Sequence, residues 1–362
     1  MWLDEAILES QVATDDISRT MTEEFMQGNR PRYLFGRNTY AVDTARQLEV
    51  DGFIDEFTDE REFLGKPIVA FADLPSNALV VSCVVGILPL TVKQRLDEEG
   101  IANIDYYAFQ RYSRLDLSEV TFMRGVVADI TRHREKYAGI YERLSDDASR
   151  ETFQALVRFR LSRNLEYMVG FTERQKWQYF EEFLQLSQSG ESFVDVGCYD
   201  GYTSSEFIRH CPDYDRVHVF EPEPDNMTKV KRRLETHERI VYHPYGASDT
   251  PSVLRFQSDG SSSVANTNGN IEIQVERIDD VIKEPFTFLK MDIEGGEIPA
   301  LRGAAVSIHQ YHPRLAVSVY HKADDLWTIP ELVLGIRDDY DLYLRHYTEG
   351  VTETVMFFMP RR

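Results

Sequence analysis

Three short runs hold most of the side chains able to do chemistry. FVDVGCYDG (193–201) sets Asp195 and Asp200 beside Gly197 and Gly201, straight after an apolar segment. FLKMDIEGGEIP (288–299) places Asp292, Glu294 and Glu297 at the end of another. SVYHKADDLW (318–327) ends a third with His321, Lys322, Asp324 and Asp325. A strand running through a glycine turn into a helix is how nucleotide-binding βαβ units begin. This turn lacks the G-x-G-x-x-G of dinucleotide binders, and its two carboxylates repel a pyrophosphate. They suit a cationic, phosphate-free adenosine ligand, and S-adenosylmethionine has that chemistry.

The neighbouring residues extend this reading. Glu221 ends the alternating segment RVHVFEPEP, twenty-four positions after Gly197, the spacing expected of an acid that accepts from ribose hydroxyls. Asp195 and Thr203 are expected at the amino-acid end of the cofactor, with Gly197 and Gly201 allowing close approach. Tyr199, Asp200 and Pro222 belong to the same expected pocket, and Gly246, Ala247 and Ser248 are expected beside the adenine. Asp292 is expected nearest the reacting methyl group, since open α/β sheets bind ligands at strand ends. A hydroxyl group is a weak nucleophile, and general-base help is worth about 10²–10⁴ in rate. His321 is the first choice of base, with Asp292 or Glu294 as alternatives and Lys322 as a partner for the alkoxide. Mg²⁺ held by Asp292 and Glu294 stays open, because oxygen ligands suit it. The bland readings are helix N-terminal charge compensation for Glu297 and a solvated strand-end acid for Glu221.

The elements that must position these residues follow from periodicity. Residues 1–30 read as helical, and 31–110 alternate strand and helix, which predicts a small parallel α/β domain. Gly36 opens a turn there, with Asp55 nineteen positions on. Asn38 and Ala41 stand where a dinucleotide loop has its further glycines, so this is a weak nucleotide signal; Arg37 is a candidate phosphate contact. Residues 111–190, including RQKWQYFEEFLQL, have apolar spacing of three to four and read as a connector of two to four helices. Tyr179 and Phe180 read as packing residues or as a lid. From 191 the chain alternates strand and helix again and ends in an antiparallel pair, DLYLRHYT and ETVMFFMP. The polar loop Ser258 to Asn270 reads as an exposed hairpin or an acceptor-binding flap.

Composition bounds the function. The 362 residues are 42% hydrophobic and 12% aromatic, enough for two domains with real cores. A net charge of −21 weighs against nucleic acid or an anionic membrane surface. The three cysteines, Cys83, Cys198 and Cys211, have no metal-ligand spacing and suit a reducing cytoplasm. The start is acidic where a signal peptide is basic. The longest apolar stretch, Leu79 to Leu90, is shorter than the roughly 20 residues of a membrane span.

From about Gln175 to Pro360 the chain resembles the FkbM family of S-adenosylmethionine-dependent methyltransferases. The resemblance rests on QYF, FVDVGCYDGYTSSEF, VFEPEPDN, FLKMDIEGGEIPALRGA and VYHKADDLWTIPEL. It implies a class I methyltransferase fold, a Rossmann-like seven-stranded sheet with its last strand antiparallel. It also implies methyl transfer to oxygen, commonly a sugar hydroxyl in polysaccharide, glycolipid or natural-product biosynthesis. The expected division is a Rossmann-like domain at 1–110, a helical connector at 111–184 and the methyltransferase domain at 185–362. The expected acceptor is a carbohydrate or nucleotide-sugar, and the connector could carry a homo-oligomer contact. Two rival readings are an NAD-dependent sugar oxidoreductase or epimerase using the first domain, and a non-catalytic protein that binds S-adenosylmethionine.

Overall fold

Short, wholly apolar runs bounded by glycine and charge form strands covered on both faces. The structure, a computed structural model, describes residues 2–12, 15–257, 264–265 and 271–361. By their contacts the residues fall into two units. The first comprises 1–134, 151–175 and 346–352; the second comprises 135–150, 176–345 and 353–362. The segment expected as a connector, 111–184, is thus shared between the two units and is no third body. Among the described residues no helix is long and apolar enough to cross a membrane.

In the first unit, β1 (Arg32–Phe35), β2 (Gly52–Ile54), β3 (Glu62–Phe63), β4 (Lys66–Val69), β5 (Leu79–Ser82) and β6 (Ala102–Asp105) form a sheet in the order β3-β4-β2-β1-β5-β6. All its pairings are parallel except β3 with β4. Tyr33, Phe35, Ile54, Phe71, Val80 and Leu96 pack together as a core on this sheet. Two helices, Trp2–Val12 and Asp16–Gln27, precede it as expected.

In the second unit, the main strands are β7 (Ser192–Val196), β8 (Arg216–Phe220) and β9 (Ile240–His243), then β14 (Phe288–Met291), β15 (Arg314–Ser318), β16 (Tyr340–His346) and β17 (Thr354–Pro360). Among the described residues they form one seven-stranded sheet in the order β16-β17-β15-β14-β7-β8-β9. β15 to β9 run parallel, and β17 is antiparallel to β15. This is the expected class I arrangement. Between them in sequence, β10 (Gly246–Ala247), β11 (Ser252–Gln257), β12 (Val264–Ala265) and β13 (Ile271–Glu276) form a separate small sheet. The expected flap at 258–270 lies outside the described residues apart from Val264 and Ala265.

β7 and β14 lie side by side, yet β7 continues to β8 on one side while β14 continues to β15 on the other. The strand order reverses between them, and the carboxyl ends of such a pair frame the ligand crevice of an open α/β sheet. The three chemical runs of the sequence end at the carboxyl ends of β7, β14 and β15.

RQKWQYFEEFLQL does not form the expected helix. It makes two short 3₁₀ turns, Gln175–Trp177 and Glu182–Leu184, and Tyr179 and Gln185 take left-handed backbone angles of 71° and 47°. Tertiary contacts override the helical spacing here, because Tyr179 is drawn into the second unit's interior.

Candidate active site

Asp195 and Lys290 stand opposite each other in the β7–β14 register, each on an otherwise apolar strand. They form a buried ion pair at 3.2 Å. Burial works against the Lys290 charge, but Asp195 and Asp292 hold the ammonium above its ordinary pKa. Lys290 Nζ also donates to the Gly197 carbonyl at 2.6 Å, and Ser204 Oγ donates to Asp195 at 2.7 Å. Asp195, expected at the amino-acid end of the cofactor, is thus fully buried and engaged by Lys290 and Ser204. Asp200, the other acid of the turn, pairs with Arg233 and accepts from the Tyr202 amide. The two carboxylates expected to select a cation are thus both countered, because each turns toward a basic side chain of a neighbouring element.

The turn glycines also serve packing. Gly197 has φ +79°, and a Cβ there would lie 1.9 Å from the Asp292 carbonyl oxygen. Gly201, with φ +81°, faces Val230 of the helix Pro224–Arg233. The turn and the loop after β14 touch directly across the sheet's switch point, which only a glycine at 197 allows. Tyr199 is 43% exposed, with the Lys229 ammonium over its ring, and Thr203 is half-buried on the helix Tyr202–His210.

Glu221 follows β8 where the spacing placed it. One of its oxygens accepts from the Tyr199 amide at 3.0 Å and the other from the Glu223 amide at 2.9 Å. Burial raises its pKa to about 7, against the help of those two amides. Each oxygen keeps a further lone pair. Pro222 is half-buried beside it. Gly246 and Ala247 belong to β10 of the small sheet, and the Ser248 carbonyl abuts Gly303 of the helix Glu297–Gly303.

At the ends of β14 and β15 the acids gather around His321. Glu297 Oε1 accepts from the Ile293 and Gly295 amides and lies 3.0 Å from His321 Nδ1. His321 Nε2 is 3.4 Å from Asp292 and 3.7 Å from Glu294. The His321 and Glu297 side chains are each 1% exposed, whereas Asp292 and Glu294 are each 20% exposed. Burial would lower the His321 pKa, but Glu297, Asp292 and Glu294 together raise it to about 10. His321, the first-choice base, is thus a buried imidazolium whose charge is held by three carboxylates. Burial raises Glu294 to about 7 despite His321, and the Glu294 backbone has φ +55°. Lys322 is exposed, with its stem against Gly295.

Sequence reasoning missed four members of this cluster: Gln178, Lys290, Ser318 and Glu353. Tyr179 O–H donates to Asp292 at 2.6 Å and lies 3.4 Å from Ser318 Oγ. Gln178 donates to Tyr179 Oη and to Glu353, whose pKa burial raises to about 7. Lys290 was the legible one: a lysine in the apolar run FTFLKM needs a buried partner. Gln178, Ser318 and Glu353 carried no signal, since only the fold brings 176–180 and β17 to the end of β14.

In the first unit, Arg37 pairs with Asp55 at 2.7 Å and with Glu60. The acid expected to hold a ribose and the arginine expected to hold a phosphate thus hold each other. Asn38 caps the helix Thr39–Gln47 by accepting from the Ala41 amide, and Ala41 is fully buried. That turn is built for structure where a dinucleotide loop has glycines.

Residues 195–348 match the family model described as Methyltransferase FkbM domain. The chain is similar over 98% of its length to methyltransferase FkbM from Methylobacillus flagellatus KT, at 25% identity, 99% coverage of that chain and a TM-score of 0.77. An rRNA methylase from Streptococcus thermophilus aligns over 50% of this chain and 92% of its own, at 16% identity and a TM-score of 0.35. N-methyltransferase NodS from Bradyrhizobium japonicum WM9 aligns over 50% and 92%, at 11% identity and a TM-score of 0.31. No curated protein matches the chain.

Proposed function

We propose, on the premise that residues 195–348 are an FkbM methyltransferase domain, that this chain transfers a methyl group from S-adenosylmethionine to a sugar hydroxyl. The observation that carries the donor is Glu221, a buried carboxylate beside the glycine turn with a lone pair left on each oxygen. Those oxygens would accept from the two ribose hydroxyls. The donor's positive end would be held by the excess of acid at the ends of β14 and β17, where Asp292, Glu294, Glu297 and Glu353 outnumber His321 and Lys290. When bound, the donor supplies an electrophilic methyl group on a sulfonium sulfur.

Glu294 is our choice of base. It is partly exposed, while Asp292 is committed through one oxygen to Tyr179. Glu294 takes the acceptor's proton, and Lys322, exposed beside Gly295, steadies the alkoxide. His321 is a positioning residue that draws the three carboxylates inward. A carbohydrate or nucleotide-sugar acceptor suits this site and follows the family resemblance; the chemistry lies in the domain expected at 185–362. The paired Arg37 and Asp55 leave the nicotinamide reading without its ribose acid.

Calorimetric titration with S-adenosylmethionine, S-adenosylhomocysteine and NAD tests the donor. Binding of the first two and not the third is expected. Glu221→Gln should weaken both by about 10- to 100-fold, the worth of a charge-assisted hydrogen bond or two. Glu294→Gln should keep donor affinity and lose about 10²–10⁴ in turnover on a glycan panel. Full donor affinity in Glu221→Gln, or full turnover in Glu294→Gln, defeats the corresponding assignment.

A further inference from the structure

Glu297 Oε2, Asp292 Oδ1 and Glu294 Oε2 are buried atoms that accept no hydrogen bond. Asp292 Oδ1 and Glu294 Oε2 share the one His321 Nε2, at 3.4 and 3.7 Å, so three unsatisfied carboxylate oxygens meet a single imidazole, and this excess calls for a cation of higher charge. One ligand atom from each of Asp292, Glu297 and His321 lies within 4.8 Å of the others. We propose that these three side chains bind a divalent transition-metal ion, which displaces the His321 proton to solvent as it binds. The set differs from the Asp292 and Glu294 pair expected for Mg²⁺. It combines two carboxylates with an imidazole, donors that favour Mn²⁺ or Zn²⁺ over the all-oxygen ions.

The surroundings fit a metal centre. An ion about 2.1 Å from each donor in a tetrahedral site holds its ligands about 3.4 Å apart, so binding draws the widest pair together by up to about 1.4 Å. Tyr179 O–H holds Asp292 Oδ2, and the Ile293 and Gly295 amides hold Glu297 Oε1. Outer partners of this kind fix ligating carboxylates. Glu297 and His321 supply a buried floor, while Asp292 stands at the rim with Glu294 beside it. Three protein ligands leave coordination positions open toward that rim, the pattern of catalytic rather than structural metal sites.

The test uses the full chain after dialysis against EDTA, with no donor or acceptor present, so its result is separate from that of the methyl-transfer reading. Mn²⁺ is titrated in, and the electron paramagnetic resonance of the free ion is followed. One bound Mn²⁺ per chain is expected, weakened at least about tenfold in Asp292→Asn and in Glu297→Gln. Circular dichroism checks that each variant folds; should Glu297→Gln not fold, Asp292→Asn at the partly exposed rim decides. Absence of bound Mn²⁺ at millimolar ion overturns the proposal, because the His321–Glu297 pair then completes the cluster unaided. Binding equally tight in the variants, as diffuse attraction to the acidic surface would give, also overturns it.

Discussion

At the scale of single residues, the second unit depends on a charge pair inside an apolar sheet. Lys290 is 3% exposed and Asp195 fully buried, and they face each other across adjacent strands. Removing one member of such a pair leaves the other charged in a poorly solvated place, typically at a cost of about 3–5 kcal/mol. Lys290→Met should therefore lower the urea midpoint sharply, and adding Asp195→Leu should recover part of the loss. A single variant as stable as the parent would mean that the pair does not hold β7 to β14. Residue identity made some of the candidate site legible: the place of Glu221 beside the glycine turn followed from its spacing. Asp195, Gly197 and Asp200 were legible as a turn, but their partners Lys290, Asp292 and Arg233 were not. Spacing places a residue at a strand end without saying whether it faces the crevice or the interior, and Lys290 and Arg233 decide that from elsewhere in the chain. The surroundings of His321 were not legible for a related reason, since its burial and the approach of Glu297 arise only when the ends of β14 and β15 meet.

At the scale of elements, the strands of the main sheet after 191 were legible as apolar or alternating runs closed by glycine or charge. RQKWQYFEEFLQL was not, because its helical spacing was overridden by the anchoring of Tyr179 on Asp292. The β8–β9 pair carries its own prediction. His218 and His243 stack with ring centroids 5.3 Å apart, and Nδ1 of one lies 3.0 Å from Nε2 of the other. Burial lowers both pKa values to about 4; Glu284 opposes the shift at each ring, Arg216 adds to it at His218, and His218 adds to it at His243. Both rings are neutral when folded, and both protonate near pH 6.5 when unfolded. Their contribution is present above pH 6.5 and is lost as the pH falls from there toward 4, by up to about 1.4 kcal/mol per pH unit for each ring. The thermal midpoint should drop over this range, and His243→Gln should make the drop shallower. An unchanged slope in the variant would show that these rings do not set the acid sensitivity.

At the scale of the whole molecule, the net charge of −21 is the one electrostatic property that composition alone made legible. Its meaning changes once Asp195 and Asp200 prove to be countered. On the proposed function, preference for a cation would rest on the total field and on the acids around His321, rather than on the glycine turn. S-adenosylmethionine carries one net positive charge, whereas S-adenosylhomocysteine carries none, so the two share shape and contacts and differ in their response to this field. The long-range part of the attraction operates at about 10 mM salt, where the screening length is about 30 Å, and is largely gone near 1 M, where it is about 3 Å. The ratio of the two affinities should therefore shift against S-adenosylmethionine by about threefold or more across that range. The homocysteine form should bind with little salt dependence. Paired calorimetric titrations at several NaCl concentrations measure this. A salt-independent ratio would confine the selection to short-range contacts, and a ratio moving the other way would mean that the site does not prefer the cation.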